Sequence, residues 1–248
     1  MFKGLGPEKI LPQVLDDLKE TLAADLVSAA VYGSAAGRDF QPGLSDVNLL
    51  VVVKPAGLNR LGGLAIKAAG WAKKRIAPPL VVSEEEIESS LDAFPLEFLN
   101  IKSQYRLLHG PDPLADLVID RDDLRLQCER ELRGKLLLLR EALLSSGGRE
   151  MALFETALTS IKAFVAIFRG VLHLLGREAG PFDGRQVLAE ASRSLNLEDG
   201  AVLAEIWALR GERRPPRGRL RGLFGRYLGV IAAAARAVDD LKSREEGA

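Results

Sequence analysis

Val31-Tyr-Gly-Ser-Ala-Ala-Gly-Arg-Asp-Phe-Gln-Pro-Gly-Leu-Ser-Asp-Val-Asn-Leu-Leu-Val-Val-Val53 has the order strand, turn, polar loop, strand. The apolar run from Val27 to Tyr32 is stopped by Gly33-Ser34, and Gly37, Pro42 and Gly43 break the next residues into a loop. Ser45-Asp46-Val47-Asn48 then leads into aliphatic residues up to Val53, apolar on both faces after Asn48, as a strand covered on both sides requires. Two residues apart on a strand, Asp46 and Asn48 are expected to point at one face. Two oxygen donors at the mouth of a buried strand suit a hard metal ion. Only one of the two is a carboxylate.

On the N-terminal side, Ile10, Val14, Leu15, Leu18 and Leu22 recur at helical spacing, which predicts an amphipathic helix to about Ala24. On the C-terminal side, a helix is expected over 58–75, buried through Leu61, Leu64, Ala65, Ala68 and Trp71, with Lys73-Lys74-Arg75 at the negative end of its dipole. Pro78-Pro79 stops it. Leu80 to Val82 reads as a short strand, and Ser83 with Glu86 as a capping box for a helix running to about Asp92 or Ala93. After the Phe94-Pro95 break, Leu96 to Ile101 is expected to be a strand carrying Glu97, and Tyr105 to His109 a strand or short helix.

Composition changes after Gly110. Pro111-Asp112-Pro113 and Asp120-Arg121-Asp122-Asp123 frame a linker, and beyond it helices are expected over 124–144, 151–175, 184–192, 199–209 and 218–241. Strands mixed with helices first and helices alone afterwards imply two domains of different class. The expected fold is α+β: a mixed sheet flanked by helices over residues 1–118, then an all-α helical bundle over 119–248.

The 248 residues suffice for such a pair, and the 47% hydrophobic content excludes extensive disorder. Lys and Arg (34) balance Asp and Glu (34), so the sequence implies no global affinity for polyanions. Cys128 is the single cysteine, which excludes an internal disulfide and a cysteine-based zinc site. The N-terminus lacks the apolar core of a signal peptide. The apolar segment from Gly222 to Val238 is interrupted by Arg226 and Arg236 and is short for a bilayer. A soluble, cytoplasmic protein without a membrane segment is expected, and the apolar bundle face admits a homodimer.

Gly33-Ser34, the loop, and Ser45-Asp46-Val47-Asn48 before a run of aliphatics together resemble the motif of polymerase-beta-type nucleotidyltransferases. The architecture is similar to the small-molecule branch, the aminoglycoside nucleotidyltransferases, with their helical C-terminal domain. That resemblance implies Mg²⁺-dependent transfer of a nucleoside monophosphate from an NTP to a hydroxyl of a small molecule. Gly33, Ser34 and Ser45 would then bind the triphosphate, and Asp46, Asn48 and Glu97 would be metal ligands, with Asp46 and Glu97 catalytic. The chemistry needs carboxylates because two metal ions clamp the attacking and leaving oxygens of the phosphoryl group.

Asn48 departs from the family's Asp-x-Asp or Asp-x-Glu, removing a negative charge where divalent ions concentrate. The alternative it raises is a non-catalytic descendant of the fold that binds a nucleotide or a protein. Each residue also has a structural role available: a strand-ending turn at Gly33-Ser34, a turn cap at Asp46, an amide bonded to the loop at Asn48, and a surface acid at Glu97.

Two further features fall outside this motif. Arg210, Arg213, Arg214, Arg217, Arg219 and Arg221 crowd a connection opposed only by Glu212. No aromatic residue is interleaved before Phe224, so a solvated loop is expected in place of a nucleic-acid surface. Arg169 and His173, four apart, resemble the Arg-and-His pair of HEPN ribonuclease bundles. Their spacing is shorter than that motif's, and a packed or interfacial histidine is expected.

Overall fold

The computed structural model describes residues 6–37, 40, 45–177, 182–215 and 218–241. The loop-breaking Pro42 and Gly43, Arg217 of the arginine-rich connection, residues 1–5 and the tail beyond 241 lie outside them. The chain divides into two compact units, residues 1–92 with 97–119, and residues 93–96 with 120–248.

The first unit is built on a four-stranded mixed sheet. Helix α1 (Pro7–Leu22) starts with proline at its first position, where the missing amide costs nothing. It buries Ile10, Leu11, Val14, Leu18 and Leu22. Strand β1 (Leu26–Tyr32) ends in a 3-10 turn over Gly33–Ala36, and β2 (Asn48–Val53) comes after the loop. Helix α2 (Leu61–Ala72), strand β3 (Leu80–Ser83), helix α3 (Glu84–Ser89), helix α4 (Pro95–Ser103) from Glu97 onward and strand β4 (Tyr105–His109) complete the unit.

The strand order is β3-β2-β1-β4, with β1 antiparallel to both β2 and β4 and β3 parallel to β2. Leu49, Val51 and Val53 face a core closed by α1 together with Leu64 and Trp71 of α2. Leu50 and Val52 face the opposite core with Ile87, Phe98, Ile101 and Leu114. Covering on both sides explains why β2 is apolar at every position after Asn48.

Several expectations are corrected. Leu96 to Ile101 is helical, and Glu97 lies exposed on the first turn of α4 instead of on a strand. The apolar spacing at 96, 98, 99 and 101 fits either period in so short a run. Pro95 decides the matter, because proline is favoured at a helix start and the Leu96 amide is satisfied by Gln127 Oε1 at 2.7 Å. Helix α2 is shorter than residues 58–75 and leaves Leu61 41% exposed, so Leu64 and Trp71 alone are buried on it. Helix α3 forms its capping box between Ser83 and Glu86 but stops at Ser89.

The second unit has helices and no strand among its described residues. It holds α5 (Arg121–Ser145), α6 (Glu150–Leu174), α7 (Gly184–Ser194), α8 (Ala201–Ala208) and α9 (Leu220–Asp239). Asp120 caps α5 through two backbone amides, and Asp183 forms a capping box with Gln186 on α7. Phe164, Phe168, Phe224 and Tyr227 form an aromatic centre, with Phe164 and Tyr227 edge to face at 5.8 Å. The buried Tyr227 hydroxyl is satisfied by Ser160 Oγ at 3.1 Å. By length and composition α6 could cross a bilayer. Its Ile161, Phe164, Phe168 and Val171 are instead buried among α5, α7 and α9.

Candidate functional site

Gly33 sits at φ +70°, the left-handed region that glycine enters without steric cost. Its amide donates to the Gln104 carbonyl at 2.9 Å, which ties the turn to the end of α4. That amide is therefore spent inside the chain. A Cβ at Gly33 would lie 3.5 Å from Asn48 Nδ2, so the turn and Asn48 are immediate neighbours. Ser34 is the next residue of the turn, half-buried, and its carbonyl accepts the Gly37 amide at 3.2 Å.

Asn48 opens β2 opposite Tyr32, and Tyr32 is in turn opposite Tyr105 of β4. Directly paired residues share a face, so an amide and two phenols form a row across this end of the sheet. Asp46 precedes the strand and is more than half exposed. Its Oδ1 accepts a charge-assisted bond from Arg75 Nη2 at 2.9 Å, and Arg75 Nε reaches the Ser45 carbonyl at 3.3 Å.

The backbone holds Arg75 there. The Val47 amide donates to the Arg75 carbonyl at 2.9 Å, and the Ala77 amide to the Val47 carbonyl at 3.0 Å. Val47 and Ile76 form a parallel bridge. Arg75 itself is at φ +60°. Sequence reasoning missed this residue, taking it as the cationic end of a helix that in fact stops at Ala72. The signal available was a basic residue three positions before Pro78-Pro79, ahead of the short strand expected over Leu80 to Val82.

For a pair of divalent ions the donor set is too poor. Asp46 is engaged by a guanidinium, Asn48 is neutral, and no Asp or Glu occurs in β1, β2, β3 or β4. The segment beside Asn48 in the parallel neighbour of β2 is Pro78-Pro79, from the register of Leu50 with Leu80. Glu97 is helical and exposed. Among the described residues no three His, Cys, Asp or Glu side chains group to hold a metal. These residues do not fit a two-metal centre, which needs several carboxylates.

On the Leu50 and Val52 side of the sheet, the same unit holds a cavity of about 540 Å³ lined in part by Glu84, Glu88, Asp112 and Asp116 with Ile87 and Leu117. Tyr105 reaches Asp112 Oδ2 at 2.6 Å, and that bond, with burial, pushes its phenol up to about 12. Burial alone raises Tyr32 and is the main cause at Tyr227. All three tyrosines of the chain are thus held neutral in the fold. An unfolded tyrosine ionises near 10, so their contribution to stability is complete below that pH. It is lost as pH rises through the folded values. Tyrosinate absorbance at pH 10 is accordingly expected to stay near the protonated baseline in the native protein and to jump on adding denaturant. Equal absorbance in both states would refute the assigned shifts.

Elsewhere the singled-out residues serve the second unit. Arg210 stacks on Trp207 at 3.9 Å, and Arg221 donates to the Gly148 carbonyl at 3.2 Å. Arg213 and Arg214 are exposed. Arg169 donates to the Phe182 carbonyl at 2.8 Å, and His173 is exposed on the last turn of α6 instead of packed. Cys128 is buried.

Among solved structures the chain is similar to the spectinomycin adenyltransferase AAD(9) from Enterococcus faecialis, crystallised with ATP and spectinomycin. The TM-score is 0.53 at 14% identity, covering 90% of this chain and 98% of that one. At that identity the likeness establishes the fold alone: the chain shares the fold of that adenyltransferase, α+β, with a sheet-bearing first unit and a helical second one. No protein-family model and no curated protein sequence matches the chain.

Proposed function

We propose that this chain binds a nucleoside triphosphate at the Gly33–Ser34 turn beside Asp46 and Asn48, as a descendant of the nucleotidyltransferase fold without two-metal transfer. The observation that carries the reading is the Arg75–Asp46 ion pair next to a neutral Asn48. A triphosphate needs positive charge at this strand mouth, and here the chain supplies a guanidinium where the resemblance implies metal-binding carboxylates. In this reading the Ser34 and Ser45 hydroxyls and the Asn48 amide donate to phosphate oxygens. Gly33 lets the turn approach them. The lone buried thiol of Cys128 suits a reducing, cytoplasmic setting.

The test is calorimetry and thermal shift with each common NTP, in chelator and then with Mg²⁺ or Mn²⁺, with pyrophosphate release measured in parallel. Binding is expected to persist in chelator, without pyrophosphate release. Arg75→Ala should weaken it roughly tenfold, the loss of one charge-assisted bond. Asp46→Ala, which removes the carboxylate from the guanidinium, should leave binding unchanged or tighten it.

A second reading is favoured by the glycine turn and by Asp46 at the strand mouth. It is Mg²⁺-dependent transfer of a nucleoside monophosphate to a small-molecule hydroxyl, with Asp46, Asn48 and Glu97 as ligands. Metal-dependent pyrophosphate release abolished by Asp46→Ala and lowered by Glu97→Gln would establish it in place of the first. If no nucleotide shifts the melting temperature under any condition, both readings fail and a protein-binding descendant is left.

A further inference from the structure

One end of the helical unit concentrates positive charge. The turn between α5 and α6 meets the start of α9 there. The Gly218 and Leu220 amides donate to Glu150 at 3.1 and 3.3 Å, and Arg221 Nη2 donates to the Gly148 carbonyl at 3.2 Å. A Cβ on Gly148 would come within 2.4 Å of that guanidinium nitrogen, so glycine lets Arg221 lie on the turn.

Arg149, Arg213, Arg214, Arg219 and Arg221 are all exposed, and none of them has a carboxylate partner among the described residues. Arg149 and Arg221 bond neutral carbonyls, which leave their charge intact. The acids of these two segments are Glu150, engaged by the α9 amides, and Glu212. By contrast, Arg133 is neutralised by Glu129 and Asp239, and Arg226 by Asp199 and Glu205. One turn back on α5, exposed Arg140 and Glu141 offset each other.

Apolar surface adjoins this charge. Leu144, on the last turn of α5, is 82% exposed, and Met151, on the first turn of α6, is 45% exposed. They flank the turn that carries Arg149. The described residues of the two segments hold no aromatic ring, and nearby Trp207 is covered by Arg210 at 3.9 Å. A nucleic acid would therefore find phosphate contacts but no stacking platform, and would leave Leu144 and Met151 unused. An anionic bilayer uses both features, with headgroups for the guanidinium groups and the acyl boundary for the apolar side chains.

We infer that this end of the bundle docks on an anionic lipid surface. Arg149, Arg213, Arg214, Arg219 and Arg221 lie among the headgroups, and Leu144 and Met151 reach the acyl boundary. The contact is peripheral, since the apolar face of α6 stays inside the bundle.

The experiment is cosedimentation of the full chain with phosphatidylcholine vesicles, made with and without phosphatidylserine, at low and high salt. Circular dichroism and melting temperature confirm the fold of each variant. Wild type is expected to bind only the phosphatidylserine vesicles and to be released by salt. R213E/R214E should weaken binding roughly twentyfold or more, from about fivefold for each arginine lost near an anionic surface. L144S/M151S should weaken it several-fold at low and high salt alike, because apolar burial is not screened. Leu126→Ser, roughly 27 Å away along α5, is the control and should bind as wild type does. Binding that is absent, equal on pure phosphatidylcholine, or undiminished in either double variant overturns the inference. So does binding to a duplex oligonucleotide that R213E/R214E abolishes and vesicles fail to compete, which would assign the surface to nucleic acid.

Discussion

Gly110→Ala is expected to lower the stability of the first unit by about 2–5 kcal/mol, read as a fall in the urea midpoint. Gly110 comes directly after β4 at φ +75°, where an alanine pays about 1–2 kcal/mol. Its Cβ would also lie 2.0 Å from the Val27 carbonyl oxygen and 3.1 Å from Ser28 Cα. Those atoms are main chain of β1, so no side-chain rotation relieves the overlap, and forced backbone shifts cost roughly 1–3 kcal/mol more. The same corner holds the irregularity in the β1–β4 pairing at Ala29/Ala30 and the bond from buried Ser28 Oγ to the His109 carbonyl at 3.1 Å. Strand β4 therefore has little freedom to retreat. Gly62→Ala in α2, where a Cβ meets nothing within 4 Å, is the control and should not lower stability. Equal midpoints for wild type and Gly110→Ala would show that the corner is not as tight as the geometry requires.

The second large effect concerns charge at the strand mouth. Asn48→Asp combined with Arg75→Ala is expected to raise Mn²⁺ affinity by about thirtyfold or more, measured by calorimetry in the absence of nucleotide. Each change adds or uncovers one negative charge near a dication. Even at the dielectric of water such a pair at about 4 Å is worth about 2 kcal/mol. Salt screening and the exposure of Asp46 reduce the sum of the two changes, which is why no more than the worth of one pair, about thirtyfold, is set as the threshold. Asn48→Asp alone should gain less, because Arg75 would be free to bridge both carboxylates. An unchanged Mn²⁺ affinity in the double variant would mean that neither Asn48 nor Arg75 sets the metal-binding capacity of this site.

Fold and site differ in how far they could be read from the chain alone. Strand β2 was legible because a strand covered on both faces needs an unbroken aliphatic run, and Leu49 to Val53 supplies one. The Gly33 turn was legible because a left-handed residue after a strand calls for glycine. Capping of α3 was visible in Ser83 and Glu86 three residues apart. Helix α4 was misread because four apolar residues within six positions satisfy both periods, and the capping partner of Leu96, Gln127, lies 31 residues away. Arg75 was misjudged for a related reason. Its role depends on where α2 stops and on a parallel bridge between Val47 and Ile76, both of which are set by packing across the sheet.

By itself, the amino-acid sequence determined the class of the fold and the identity of the groups at the strand mouth. Turn chemistry, hydrophobic period and the substitution at Asn48 are local properties. Only the tertiary structure decided how those groups are charged and engaged. It set a guanidinium on Asp46, placed Gln104 on the Gly33 amide and left the four strands without a carboxylate beside Asn48. The physical reason is that electrostatic partnership depends on through-space distance. Asp46 and Arg75 are 29 positions apart in the chain and 2.9 Å apart in the fold.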